Sequence, residues 1–242
     1  MIYAFCYSCN RDMELAHLMD YTLWKHSGNS CRMIWNTDTQ EHLKGYGNGA
    51  GYPQAMMKLN GLRSLIDDFK IQDSDFVLSV DSDVIFTSPE VFKYVDASYG
   101  LIGVKHRPDY YTKFGSWSHM SGCLMFIRGD IAKKMCAMSE EELTFVQYQQ
   151  FKPYNLTENE DVVLSYLATL CGANYFDLGT VAGLSSGDFE NDIIQFTSQL
   201  VNPTHLRSFY HLNYCPTTFL GEPMNGAKWD IPKVLNQKGI KL

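Results

Sequence analysis

The sequence lacks any apolar run approaching the roughly 18 residues that a membrane helix needs, so a helical span is excluded. Its opening, Met1-Ile2-Tyr3-Ala4-Phe5-Cys6, has no basic stretch and is not expected to be a signal peptide. Positive charge is also scarce. Against 27 Asp and Glu stand 20 Lys and Arg, a formal net charge of −7, which argues against general nucleic-acid binding. No Gly-x-Gly-x-x-Gly follows the first expected strand, which argues against a dinucleotide site. The glycine-rich piece Gly45–Gly51 lacks the Lys-Ser/Thr ending of a phosphate-binding loop. Cys6-Tyr7-Ser8-Cys9 has no second pair at zinc-ribbon distance. The seven cysteines are odd in number and irregularly spaced, and Cys123, Cys136 and Cys171 read as reduced core thiols. A disulfide-free cytoplasmic protein, in a bacterial cytosol or that of a virus's host, is expected. The sequon Asn155-Leu156-Thr157 then carries no sugar. No repeat or low-complexity linker divides the 242 residues, and 45% hydrophobic content suits one α/β domain with a sizeable core.

What is present reads as alternating strands and helices. Ile2–Tyr7 is an expected strand, and Arg11–Lys25 carries Met13, Ala16, Leu18, Met19, Leu23 and Trp24 at roughly helical spacing. Cys31–Trp35 is a second strand, ending in Asn36-Thr37-Asp38. After the glycine-rich loop, Pro53 opens a helix with Met56, Met57, Leu59, Leu62, Leu65, Ile66 and Phe69. Phe76–Val80 is the third strand, and Ser88-Pro89-Glu90 starts another helix with a serine cap. This order implies right-handed crossovers and a mainly parallel, Rossmann-like sheet with flanking helices. Later, Ser121-Gly122 reads as a small-residue turn entering a buried strand through Arg128. Glu158-Asn159-Glu160-Asp161 begins a helix, and His205–Tyr214 reads as a strand with two histidines.

The most informative stretch is Phe76–Phe86. A buried apolar strand ends in Asp81-Ser82-Asp83, and apolar residues resume at once. Two carboxylates at the end of a core strand are too costly to desolvate unpaired, so a positive partner is expected there. The mouth of an open α/β sheet is where ligands bind, and a divalent cation carrying a diphosphate fits hard oxygen donors. Other readings of the same pattern exist. One is a solvated surface turn. Another is a phosphatase of the haloacid-dehalogenase type, with Asp81 as nucleophile and Gly187-Asp188-Phe189-Glu190-Asn191-Asp192 as its later acidic element. Against the phosphatase stand the 80 residues preceding the pattern and the loop-like Gly183-Leu184-Ser185-Ser186.

Strand, Asp-x-Asp and apolar continuation resemble the D-x-D motif of GT-A fold glycosyltransferases. Gly122 in its small-residue segment, Glu160-Asp161 at a helix start and a C-terminal histidine resemble, in order, that family's remaining marks. The resemblance spans most of the chain, from the first strand to about residue 211. It implies a single GT-A-like domain over 1–242, with a donor-binding half of about 1–100 and an acceptor and catalytic half of about 101–242. It implies transfer of a sugar from a nucleoside-diphosphate sugar, UDP first among them, to a hydroxyl acceptor with Mn²⁺ or Mg²⁺. A non-catalytic nucleotide-sugar or glycan-binding module is the alternative from a different class.

On that resemblance Asp83 is a direct metal ligand, Asp81 binds the metal or the donor, and His211 completes the set, with His205 as its rival. Asp161 becomes the general base of an inverting transfer and Glu160 its support. A local explanation competes for Glu160, since Thr157-Glu158-Asn159-Glu160 is a capping-box sequence. Asn36, Thr37 and Asp38 at a strand end are placed to meet the base or ribose. Lys58 and Arg63 precede the Asp-x-Asp strand on a helix and are candidates for the diphosphate, although such residues are commonly a solvated face. Trp117, in the aromatic segment Lys105–His119, joins Ser121 and Gly122 as the expected acceptor site or lid; an ordinary packed loop is the alternative there.

Overall fold

The computed structural model describes residues 1–8, 10–35, 51–112, 115–145, 160–181, 184, 192–203, 207–212, 218–225 and 228–242. At residues 35, 51–54, 106–112, 115–118, 140 and 144–145 the backbone alone is described.

The architecture is built outward from the third strand. β1 (Ile2–Ser8), β2 (Cys31–Trp35) and β3 (Phe76–Val80) are parallel, with β1 between the other two. Two long strands follow, β5 (Leu101–Thr112) and β6 (Gly115–Arg128), after a short β4 (Val84–Phe86) that lies outside this sheet. β6 runs antiparallel to both β3 and β5, and β7 (Tyr175–Asp177) closes the edge parallel to β5. The six-stranded order is β2-β1-β3-β6-β5-β7. The mainly parallel sheet is therefore present, with β6 as its one antiparallel member.

All five residues of β3 are buried, as expected for a strand covered on both faces. Its side chains alternate between two layers. Val77 packs toward α2 (Gly51–Phe69), beside Ala55, Leu59, Leu62 and Leu65. Phe76, Leu78 and Val80 face the opposite layer, with Met19 and Leu23 of α1 (Met13–Ser27). The α2 layer also receives α3 (Gly129–Ala137) and α5 (Glu160–Leu170), while a short α4 (Glu140–Phe145) lies between them in the chain. Each fully buried Leu here contributes about 1.5–3 kcal/mol of apolar transfer. α1 ends on Gly28, whose φ of 74° suits glycine, and its N–H donates to Trp24 O at 2.8 Å.

A third cluster joins both ends of the chain. Leu15 and Ile85 pack with Ile193 and Phe196 of α6 (Asp192–Val201), Tyr210 of β8 (Phe209–His211), and Ile231, Val234 and Leu235 of α7 (Ile231–Gln237). β4 and β8 pair antiparallel, Val84 opposite His211, in a separate two-stranded sheet, and β9 (Thr218–Phe219) and β10 (Glu222–Pro223) form another.

Several expected boundaries move. The helix expected from Pro53 begins at Gly51, and the one expected at Ser88 is a 3-10 turn over Pro89–Tyr94, capped by Ser88. Ser121-Gly122 is no turn. It lies inside β6, because β5 pairs alongside nearly to the hairpin tip. The strand expected over His205–Tyr214 is limited, among the described residues, to Phe209–His211. The described cysteines 6, 31, 123, 136 and 171 are free thiols. Among the described residues no helix is long and apolar enough to cross a membrane.

Candidate active site

β3 delivers its two aspartates to a tight turn. Asp81 N–H donates to Cys123 O of β6 at 3.0 Å, and Val84 N–H donates back to Asp81 O at 3.2 Å. Leu212 N–H donates to Asp83 O at 2.9 Å, so the turn is stitched to β6 on one side and to the end of β8 on the other. The β4–β8 register then sets His211 beside Asp83, with Nε2 3.3 Å from Asp83 Oδ1. One ligand atom from each of Asp81, Asp83 and His211 lies within 4.8 Å of the others.

Electrostatics favour the charged forms of Asp83 and His211. Burial would raise the Asp83 carboxyl, but the charge and hydrogen bonds of His211 and Lys228 outweigh it and hold the group well below the carboxylate range. Burial would lower His211, and the neighbouring Asp83 charge overcomes this and raises it. Lys228, in the turn before α7, places Nζ on Asp83 Oδ2. Two carboxylates and an imidazole gathered on one point form a donor set that fits Mn²⁺ or Mg²⁺.

A second group meets the first at Asp81. Lys58, projecting from α2 and nearly buried, donates to Asp81 Oδ1 at 3.3 Å, to Gly122 O at 3.1 Å and to Glu160 Oε1 at 3.3 Å. Burial alone would lower the ammonium, but Asp81 and Glu160 raise it, so it stays charged. Asp161, at the start of α5, accepts the Gly122 N–H at 3.3 Å on Oδ2, and His119 Nε2 lies 2.8 Å from the same oxygen. Its Oδ1 accepts the N–H of Val162 at 2.9 Å. Burial pushes the Asp161 carboxyl up, and the His119, Lys58 and Gly122 interactions bring it below the ordinary value of 3.8.

The strand–helix fit at this point depends on Gly122. A Cβ there would lie 2.8 Å from Glu160 Oε1 and 3.1 Å from Asp161 Cβ. β6 and α5 are also tied by Met120 N–H, which donates to Ser165 Oγ at 3.0 Å.

Of the residues singled out in the sequence, Asp81, Asp83, His211, Lys58, Gly122, Glu160 and Asp161 come together. Arg63 does not. It lies on α2 but donates to Cys136 O at 3.2 Å and to Asn60 Oδ1 at 2.8 Å, because the fifth residue after Lys58 falls on a different face of the helix, the one toward α3. Ser121 is buried and donates to Cys123 Sγ at 3.3 Å, so its hydroxyl does not face an open acceptor site. Glu160 turns toward Lys58; its proposed cap Thr157 lies outside the described residues. Asn36, Thr37, Asp38 and His205 lie outside them too, as does the side chain of Trp117.

Three residues at the site carried no sequence signal strong enough to single them out. Lys228 reaches Asp83 from 145 positions away. His119 was one polar residue within an aromatic segment. Asp192, 1% exposed, accepts the N–H of His211 and pairs with Arg207, although it resembled a phosphatase acid in sequence.

No family model matches the chain, and no curated protein matches its sequence. Solved structures resemble it distantly. The apo form of the glycosyltransferase GlyE of Streptococcus pneumoniae TIGR4 superposes with a TM-score of 0.48 at 15% identity, covering 100% of this chain and 65% of that one. A glycosyltransferase involved in glycosylation of the major capsid of PBCV-1 gives 0.48 at 13% identity, covering 88% and 95%. Mouse xyloside xylosyltransferase 1, apo form, gives 0.49 at 10% identity, covering 88% and 98%. This chain thus spans 65% of the length of GlyE.

Proposed function

We propose that this protein transfers a sugar from a nucleoside-diphosphate sugar to a hydroxyl acceptor, with a divalent cation on the diphosphate and UDP as the expected nucleotide. The observation that carries the reading is the convergence of Asp81, Asp83 and His211 at the mouth of the sheet. Asp81, Asp83 and His211 would hold the cation. A cation held there would supply the charge that neutralises the diphosphate as the sugar–phosphate bond breaks. Lys228 brings a second positive charge to the same side, and Lys58, Glu160 and Asp161 line the other side of Asp81, where the sugar would sit.

The chain remains one GT-A-like domain in this reading, but its halves are interlocked. Residues 1–100 supply Asp81, Asp83 and Lys58, while residues 101–242 supply the remaining ligand, His211, together with Lys228 and the Glu160-Asp161 pair.

Inversion rests on Asp161 as base. Both its oxygens are engaged and its proton affinity is lowered, which weakens it in that role. This observation favours a second reading, transfer with retention, in which the leaving phosphate takes the acceptor proton and Asp161 orients the sugar. The anomeric configuration of the product, read by NMR, separates the two.

The phosphatase alternative loses support at Asp192, which is occupied by Arg207 and the His211 N–H rather than turned to the Asp81 pair. The test is a thermal-shift panel of UDP, GDP, CDP and dTDP with and without Mn²⁺, on wild type and Asp83→Ala. Saturation at about 100 times the dissociation constant adds roughly 2.7 kcal/mol. A metal-dependent shift with one nucleotide, lost in the variant, is expected; no shift with any of them overturns the reading. Donor turnover that disappears in Asp161→Ala while donor affinity survives distinguishes an enzyme from a binding module.

A further inference from the structure

Lys58 has no hydrogen left to give. An ammonium carries three donors and no acceptor, and those of Lys58 go to Asp81, the Gly122 carbonyl and Glu160. Around this one cation stand three carboxylates, Asp81, Glu160 and Asp161.

Resting on the nucleotide-sugar reading above, we infer that the donor sugar is uncharged, a neutral hexose, pentose or N-acetylated form, and that hexuronate donors are rejected. The side of the site beyond Asp81 presents acceptors. With Asp81 given to the cation, the acceptor that remains is Glu160, whose side chain is 22% exposed and whose carboxylate has lone pairs beyond the one used by Lys58. Such a surface suits hydroxyl and amide N–H groups, which donate, and repels a carboxylate, which only accepts.

Among the described residues at the site, neither lysine is placed to rescue an acidic sugar. Lys58, with a side chain 10% exposed, would have to leave Glu160 unpaired in a nearly buried setting to reach a new anion. Lys228 lies on Asp83, on the diphosphate side. The nearby imidazole, His119, presents Nε2 to Asp161 rather than to the open side.

The experiment uses the full chain with Mn²⁺ and calorimetric titration. The four nucleoside diphosphates come first, then the neutral hexose and hexuronate conjugates of whichever base binds, UDP-glucose and UDP-glucuronate for uridine. The neutral conjugate should bind at least tenfold more tightly than the uronate, a difference of about 1.4 kcal/mol. In Glu160→Gln, which removes one charge and keeps the shape, that ratio should fall at least threefold; Asp161→Asn is the substitute if the first variant does not fold. Equal or tighter binding of the uronate overturns the inference and leaves the metal–diphosphate reading intact. An unchanged ratio in a folded variant overturns the assignment to these carboxylates. Failure of all four diphosphates removes the reading beneath, and the inference with it.

Discussion

Asp192 Oδ2 accepts the backbone N–H of His211 at 2.9 Å, while its Oδ1 accepts Arg207 Nη1 at 3.0 Å. A buried carboxylate thus fixes His211, the third member of the candidate cation site. Removing one partner of a buried pair leaves the other charge uncompensated. Asp192→Ala is predicted to lose about 3–5 kcal/mol of stability in urea unfolding. Mn²⁺ affinity of the folded variant should also weaken, because His211 loses its anchor. A loss below about 1 kcal/mol would show that Arg207 finds another partner.

Two glycines should respond differently to alanine. At Gly129 an added Cβ would lie 2.1 Å from the backbone carbonyl of Gln72, which cannot step aside cheaply. Gly129→Ala is predicted to cost about 1–3 kcal/mol or more. At Gly122 the nearest atom is the end of the Glu160 side chain, so the fold should yield more easily while the Lys58–Glu160 contact is displaced. The expected signature is a large fall in donor binding or turnover with a smaller fall in melting temperature. A reversed order would place the rigid contact at Gly122.

Lys228 answers the charge of Asp83 when no cation is bound. Lys228→Met should therefore destabilise the metal-free protein, and Mn²⁺ should restore more stability to the variant than it adds to wild type. Melting curves with chelator and with Mn²⁺ check this. An equal metal increment in both proteins would remove Lys228 from the metal's balance.

Asp161 gives a pH dependence with a definite sign. Its folded value lies below 3.8, so the stabilisation it supplies is full above the unfolded value and is lost as pH falls through the folded one. Asp161→Asn should be less stable than wild type by about 1–3 kcal/mol near neutrality, and this gap should close at pH values well below about 4. A gap that stays constant into that acid range would mean that Asp161 is not held as an anion.

Much of this was legible in the sequence where local pattern decides the outcome. The buried run Phe76–Val80 announces a buried strand that ends in the Asp81–Asp83 pair, and β2 matches its expected bounds at Cys31–Trp35. Residues whose role depends on packing were harder to read. Ser121-Gly122 looks like a turn until β5 pairs beside it. Arg63 and Lys58 share a helix, and only the neighbours of α2 send one to α3 and the other to Asp81. The contact between Asp161 and His119 joins residues distant in sequence, so no local pattern announces it. Lys228 is invisible for the same reason.

The linkage of Trp229 to the first helix bears on how the protein comes into being. Trp229 Nε1 donates to Asp12 across 217 residues, and the Arg11 guanidinium lies 4.0 Å from the same ring's centre. A growing chain emerges with Asp81 and Asp83 long before His211 and Lys228 exist. Closing so long a loop carries an entropic cost that grows slowly with its length, and such distant contacts belong to slow folding steps. The β1–β3 layer can assemble early during synthesis, whereas the candidate site must wait for the last thirty or so residues to dock, so it matures as one of the final acts of folding.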